Sequence, residues 1–221
     1  YKDGYHLHPE YNGRRLRPQY SLKAMGAKKV FIVLGVNDIY TSKETILENY
    51  DKLIGKIIAE NPGIEIYMVS IFPMTKARES AERNNEKIAD VNSGLREYAN
   101  ANGFPFIDIT DIFLVDRQVD ASLYRDNYVH LNNNGFEILS DTLISAFQFF
   151  AQQDQSRLGQ VINVEQSANL RSTPSMDFEP IGEILLGDEV EIMPEYFNPN
   201  WYYVSYNGQQ GYIHKSLVMI K

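Results

Sequence analysis

The chain has 221 residues, 43% of them hydrophobic, no cysteine and a formal net charge of -8, enough length and apolar content for one sizeable core plus a smaller one. The acidic balance argues against a nucleic-acid binder, whose phosphate contacts call for basic stripes, and no apolar run approaches the length of a transmembrane helix. The absence of cysteine excludes disulfides, thiolate catalysis and cysteine-based zinc sites, and no signal-peptide pattern is present.

Tyr1 to Ala27 reads as polar and loop-like, with Pro9 and Pro18. A start at Tyr1, without methionine, reads as a fragment or a processed product. His6-Leu7-His8 with Glu10 has a metal-like spacing if extended, but two histidines in a loop are better read as a solvated segment, so no metal is expected. Arg14, Arg15 and Arg17 read as a solvated basic run, placed where contact with an anionic substrate is also open to it.

Val30 to Leu34 is apolar at every position and ends abruptly in Gly35-Val36-Asn37-Asp38. Such a run reads as a buried strand delivering polar groups to its carboxyl end, where open α/β sheets keep their sites. A turn with a helix cap is the simpler alternative. A strand apolar on both faces is usually central in a parallel sheet, so pairing on both sides is expected.

Ser42 to Asn61 has helical spacing through Ile46, Leu47, Tyr50, Leu53, Ile54, Ile57 and Ile58, stopped by Pro62-Gly63. Ile66 to Pro73 reads as a second strand, and Glu79 to Asn102 as a helix with Ile88, Val91, Leu95 and Tyr98 on one face before Gly103. Phe106-Ile107-Asp108 forms a third strand. Asp126-Asn127-Tyr128-Val129-His130 then sets an acid and a histidine in a loop, ahead of a helix over 133–150 that is expected to turn Phe136, Leu139, Leu143 and Phe147 inward. Alternation of strand and helix implies a parallel, right-handed sheet.

From Tyr5 to Phe150 these motifs resemble the SGNH family, also called GDSL hydrolases, in which a Gly-x-Asn-Asp block and a late Asp-x-x-His block flank a flavodoxin-like parallel sheet. The resemblance implies a serine esterase without metal or organic cofactor. In it His130 is the general base, Gly35 and Asn37 build part of the oxyanion hole, and an acid orients the imidazole. Asp126 lies four residues before His130, and Asn127 or a backbone carbonyl is the alternative orienting group. Asp38 is expected to fix its loop by bonding backbone amides before the helix at Ser42. The family's Gly-Asp-Ser block occurs nowhere in the 221 residues, and Ser21, Ser70 and Ser93 do not stand on a strand-to-helix elbow. The first strand, with its serine, is therefore expected from an upstream piece of the same gene product or from another chain, the former preferred.

After the polar segment Gln152 to Ser156, strand-like alternation replaces helical periodicity. Ala168-Asn169-Leu170-Arg171, Ile184-Leu185-Leu186-Gly187-Asp188, Trp201-Tyr202-Tyr203-Val204 and Gly211-Tyr212-Ile213 resemble a bacterial SH3-like domain, and five short strands in about sixty residues fit a small barrel. The expected organisation is an α/β hydrolase domain over 1–151, a linker over 152–158 and an all-β barrel over 159–221. The second resemblance implies that Tyr196, Asn198, Trp201, Tyr203 and Tyr212 grip cell-wall peptides or glycans, although Trp201 and Tyr212 equally suit core or rim packing. Together the two resemblances imply a bacterial extracellular or cell-surface ester hydrolase acting on O-acetyl or short-acyl groups of wall or other polysaccharide, with peptidoglycan as partner of the barrel. The alternative is a non-catalytic wall- or carbohydrate-binding protein on a degenerate scaffold.

Overall fold

A computed structural model describes residues 8–126, 128–151, 157–176 and 179–221. His6, Asn127 and most of the expected linker lie outside the described residues. The chain opens with a short hairpin, β1 (Glu10–Tyr11) and β2 (Arg14–Arg15), and then α1 (Pro18–Met25). Both correct the expectation of a loop: Asn12 and Gly13 take the positive φ that a two-residue hairpin turn needs, and Pro18 sits in the first helical turn, where its missing N–H is harmless. β3 (Lys29–Ile32), α2 (Lys43–Glu60), β4 (Glu65–Val69), α3 (Asn85–Ala101), β5 (Phe106–Ile107), the small hairpin β6 (Leu114–Val115) and β7 (Gln118–Val119), and α4 (Asn133–Ala151) follow. The helix expected from Glu79 starts at Asn85, capped by the Asn84 side chain on the Lys87 amide.

β8 (Arg157–Val161), β9 (Ser167–Leu170), β10 (Gly182–Leu185), β11 (Glu189–Ile192), β12 (Tyr196–Phe197), β13 (Trp201–Tyr206), β14 (Gln209–His214) and β15 (Val218–Ile220) complete the chain. Five of them form an antiparallel sheet in the order β14-β13-β11-β8-β15, with the β9/β10 hairpin packed against it. Val161, Leu170, Ile184, Val190, Ile192, Val204 and Ile213 fill its interior. This is an SH3-like all-β domain behind a flavodoxin-like parallel α/β domain.

The parallel sheet has the order β12-β5-β4-β3. Its outer strand comes from the barrel: Tyr196 and Phe197 lie opposite Phe106 and Ile107 in parallel register, with Phe106 N–H donating to Glu195 O at 2.8 Å and Asp108 N–H to Phe197 O at 2.7 Å. Because strand side chains alternate, Tyr196 enters the core on the α2/α3 face and Phe197 the core beside α4. Phe197 meets Phe149 and Phe150 with ring centroids 5.4 and 6.4 Å away.

At the opposite edge β3 pairs, among the described residues, only with β4. This corrects the expectation of a strand paired on both sides. The apolar pattern of 30–34 reports that both faces are covered, and Ile32 is indeed buried. Side-chain pattern carries no information about the edge, where only backbone groups point. A second correction concerns α4. Its buried positions are Gly135, Thr142 and Ala146, while Phe136 is 56% and Phe147 36% exposed, and Lys29 of β3 places its ammonium 5.1 Å from the Phe147 ring. The open strand edge and this aromatic stripe therefore lie side by side.

The seam between the domains is polar as well as apolar. Asn198 donates to Asp108 O at 3.1 Å and to Asp111 Oδ1 at 2.8 Å, and Asn200 donates to Asp111 Oδ2 at 2.9 Å. Lys215 projects between Phe197 and Tyr202, 5.0 Å from each ring centroid. Burial pushes its ammonium down to about 8, against the opposing pull of Asp111. Burial also pushes the Asp111 carboxyl up to about 6, against the hydrogen bonds from Asn200 and Asn198. Between about 8 and the ordinary 10.5, an unfolded Lys215 holds a proton that the folded one has lost, so this group adds stability as pH rises through that window and withdraws it as pH falls. Lys215→Met is expected to abolish that increment, about 1–2 kcal/mol after allowance for partial exposure. The check is the difference between wild-type and variant urea midpoints at the two ends of the window; a constant difference refutes it.

Candidate active site

The segment after β3 is shaped by one tyrosine. Tyr50 of α2 donates its hydroxyl hydrogen to Leu34 O at 2.7 Å and accepts from Leu34 N–H at 3.2 Å, satisfying both backbone groups where the ladder ends. Burial raises its pKa far above the ordinary tyrosine value, so it stays a neutral donor. Gly35 then takes φ +116°, and a Cβ there would lie 2.7 Å from Ile71 Cδ1, a conformation and approach that suit glycine. Asp38 N–H returns to Gly35 O at 2.8 Å, and Ile39, fully buried, anchors the turn. Asn37 is left exposed at the tip.

Asp38 holds this loop differently from expectation. Its backbone carbonyl accepts from both the amide and the hydroxyl of Thr41, each at 2.8 Å, while α2 is capped by the Ser42 hydroxyl, which accepts from Thr45 N–H at 3.2 Å. A caps-and-turns reading distinguishes poorly between an Asp and a Ser four residues apart ahead of one helix, since either oxygen can serve.

The histidine stands on a second loop, closed at its base by the antiparallel bridge Tyr124↔Leu131. Arg125 N–H bonds His130 O at 2.9 Å and Asn132 N–H bonds Leu123 O at 2.9 Å. Gly135 lets α4 start against this loop, since a Cβ there would sit 2.5 Å from Leu123 O. Asp126 reaches the imidazole: its Oδ2 pairs with His130 Nδ1, and its Oδ1 accepts from the amides of Tyr128 at 3.1 Å and His130 at 3.3 Å. Desolvation opposes ionisation of Asp126, yet the bonds from His130 and these amides hold its carboxyl below the ordinary value. An ionised Asp126 is an acceptor only, so Nδ1 carries the hydrogen and Nε2 is the nitrogen left for proton transfer.

The two loops meet. Asn37 and His130 line one cleft of about 260 Å³, with Val36, Phe72, Val129, Leu131 and Phe136 as its apolar wall and Arg125 at its rim. A second, shallower hollow of about 430 Å³ continues from it past Arg125 to Asn132, Asn133 and Asn134. Among the described residues no serine lines either cavity. Ser70 is fully buried and bonded to Asp108 and the Ile109 amide, Ser21 bonds Leu16 O, and Ser93 faces Glu97 on α3. The arrangement offers an imidazole backed by a carboxylate, a side-chain amide donor, and an apolar wall.

The sequence reading missed two residues that hold the cleft's floor. Asn92 of α3 closes a bidentate pair with the Ile71 backbone at 2.7 and 2.8 Å, and Asn85 does the same with Met74 at 2.9 Å twice. Together they fix the segment that presents Phe72. Their seven-residue spacing on one helix face was the available signal.

The proposed ligand-gripping residues of the barrel are placed elsewhere than expected. Tyr196, Asn198, Trp201 and Tyr212 are buried, at 7%, 3%, 7% and 2% exposure, and the half-buried Tyr203 lies between Tyr196 and Tyr212, tilted to one and edge-on to the other, with ring centroids 4.4 and 4.8 Å away. Tyr196, Asn198, Tyr203 and Tyr212 form the domain seam, where Asn198 bonds Asp108 and Tyr212 receives a hydrogen bond from Arg96 of α3, while Trp201 packs edge-on to His214 within the barrel. Aromatic side chains in a small barrel need apolar cover, and here the neighbouring domain supplies it.

A family model described as GDSL-like Lipase/Acylhydrolase family matches residues 4–138, and one described as Bacterial SH3 domain matches residues 166–219. No curated protein matches the chain. Among solved structures, one from Streptococcus pneumonia described in terms of platelet activating factor is 25% identical, covering 57% of this chain and 66% of that one at a TM-score of 0.49. An acylhydrolase-described structure from Bacteroides fragilis is 18% identical, covering 59% and 69% at 0.48. A GDSL-like lipase from Bacteroides thetaiotaomicron is 19% identical, covering 59% and 70% at 0.45. This chain thus spans about two thirds of the length of each. With the family match covering more than half of its residues, the chain belongs to the GDSL-like lipase/acylhydrolase family, and a bacterial SH3 domain follows its hydrolase fold.

Proposed function

We propose that this chain carries the proton-transfer and oxyanion side of a serine-type ester hydrolase for O-acetyl or short-acyl groups on cell-wall or other polysaccharide, working outside or at the surface of a bacterial cell. The observation that carries the reading is the meeting of Asn37 and the His130–Asp126 pair in one mostly apolar cleft. In this reading His130 Nε2 takes the proton of the attacking serine, Asp126 stabilises the imidazolium, and Gly35 N–H with the Asn37 amide receives the negative charge on the carbonyl oxygen. Val36, Phe72 and Phe136 suit the acyl group.

The nucleophile in this reading stands on a strand that adds to the open edge of β3, beside the exposed Phe136 and Phe147. Such a strand satisfies the unpaired backbone of the edge and brings a side chain from its carboxyl tip to the level of Asn37. The barrel raises the local concentration of enzyme at the wall, through surfaces other than the seam aromatics. The division into 1–151, 152–158 and 159–221 is part of the same proposal.

Asn37→Ala, in the protein assembled with its serine-bearing strand, is expected to lower kcat for a 4-nitrophenyl acetyl ester by about 10²–10³ with KM little changed, the signature of a lost oxyanion donor. An unchanged kcat removes Asn37 from the mechanism. That no serine among the described residues lines the cleft favours one second reading, a carbohydrate-binding scaffold without catalysis; it predicts polysaccharide binding with no ester turnover under any of these conditions.

A further inference from the structure

The face of the molecule around His130 carries three arginines. Arg83 Nη1 donates to the Tyr128 hydroxyl at 2.9 Å, and its guanidinium lies 5.0 Å from the Tyr40 ring. It thus spans the loop bearing Asn37 and the loop bearing His130. Arg78 stacks on the other aromatic surface, its guanidinium carbon 3.9 Å from the Tyr128 ring centroid. Tyr128 stands edge-on to His130 with centroids 6.3 Å apart, and its carbonyl is fixed by Thr75 N–H at 3.1 Å. Arg125, exposed on the other flank, lines both cavities.

Among the described residues no carboxylate pairs with any of these three guanidiniums. Two acids close to these arginines are committed, Asp126 to His130, and Glu79 to Lys76 and the Asn85 amide. Stacking on a ring also leaves a guanidinium's N–H edge available, the edge that matches a carboxylate or phosphate. Hydrogen bonding from Arg78 first, and then, against desolvation, the charges of Arg78 and Arg83, hold the Tyr128 hydroxyl below the ordinary tyrosine value. In a chain of net charge -8, three uncompensated cations beside one imidazole are contrary to the average and call for a counter-charge.

We propose that Arg78, Arg83 and Arg125 form an oxyanion-binding subsite at the mouth of the His130 cleft, so that the preferred ester bears a phosphate or carboxylate close to the acylated hydroxyl. The substrate preference rests on the hydrolase reading; the binding of the anion does not. Arg83 holds the rim of the subsite between the two loops, Arg78 supplies the second donor fork, and Arg125 closes the side toward the Asn132 hollow.

The experiment uses the whole chain, with histidine ring carbons labelled and the His130 signal identified by its loss in His130→Ala. At constant pH and ionic strength, inorganic phosphate and glycerol 3-phosphate form one arm, galacturonate and succinate the second, glycerol and methyl galactoside the neutral arm, and chloride the salt control. A saturable shift of the His130 signal is expected for one anion class and not for the neutral arm, and the class that saturates first identifies the source of the charge. R125Q removes an exposed side chain and is expected to weaken binding about threefold to fivefold, and R78Q/R83Q by more. R78K/R83K, retaining charge without the planar fork, is expected to fall between the wild type and R78Q/R83Q, and circular dichroism confirms folding of each. Shifts no larger than those with chloride, or equal affinities in R125Q and wild type, overturn the subsite. Anion binding by this chain, with no ester turnover by the protein assembled with its serine-bearing strand, leaves the subsite and rejects the hydrolase reading; turnover of neutral and anionic esters at equal rates by that assembled protein, without saturable shifts, does the reverse.

Discussion

Arg96→Ala is expected to destabilise the whole chain by about 3–5 kcal/mol, the range for removing one partner from a buried charge network. Arg96 leaves α3 and enters the domain seam, where Nη1 donates to the Tyr212 hydroxyl at 3.0 Å and the guanidinium lies 5.3 and 5.4 Å from the Tyr203 and Tyr212 rings. Asp108, 6% exposed, faces the same cluster through the Tyr212 hydroxyl at 3.5 Å and accepts from Thr110 N–H at 3.0 Å, Thr110 Oγ1 at 2.7 Å and Ser70 Oγ at 3.3 Å. Alanine leaves that carboxylate without its nearest cation and the Tyr212 hydroxyl without its donor. Trp201 is the single tryptophan and is buried beside His214 of the barrel, so its fluorescence reports the barrel side, while far-ultraviolet circular dichroism reports the three long helices of the other domain. Both urea transitions are expected to move together. A shift of the Trp201 signal alone would show that the domains unfold independently.

That coupling follows from β12. A targeting module on a tether would contribute no strand to its neighbour's sheet, whereas Tyr196 and Phe197 extend the parallel ladder and place one side chain in each of the two α/β cores. Covering the edge of β5 with a barrel loop also removes an open strand edge, the usual site of unwanted pairing. The two domains behave as one packed body at this seam, even though each has its own interior.

What the sequence made legible divides along the same physical line. Periodicity reports which face of an element is covered, so α2, with Ile46, Tyr50, Ile54 and Ile57 buried, and the barrel strands were readable. Periodicity is silent about strand edges and about which distant element supplies the cover. The open edge of β3 and the pairing of Phe106 with Tyr196 were therefore out of reach, and Tyr196 and Tyr212 read as ligand contacts although a seam would give the same composition. Pro18 read as a breaker because its position relative to a helix start is decided by the fold. At the site, the Gly35-Val36-Asn37-Asp38 and Asp126-to-His130 motifs were legible by residue type, while the Arg78, Arg83 and Tyr128 cluster joins residues fifty positions apart that individually look like solvated surface.

In the protein assembled with its serine-bearing strand, His130→Ala is expected to lower kcat for a short-acyl ester by about 10³-fold or more, since a general base and the nucleophile it activates act as one unit. Three features make the loss informative. His130 is 53% exposed and its ring enters no core cluster, so alanine leaves packing intact and the urea midpoint is expected to stay within about 0.5 kcal/mol of wild type. Added imidazole is expected to restore part of the rate, which a folding defect would not allow. Asp126→Asn is expected to cost less than His130→Ala at neutral pH, because the amide still accepts from the backbone of Tyr128 and His130 but no longer stabilises an imidazolium. The Asp126 carboxyl is held below its ordinary value by the bonds from His130 and the backbone amides, so the pair is complete above that value and is lost only as pH falls through the depressed one. Equal rates in wild type and His130→Ala would remove the imidazole from the chemistry and leave the cleft as a binding site.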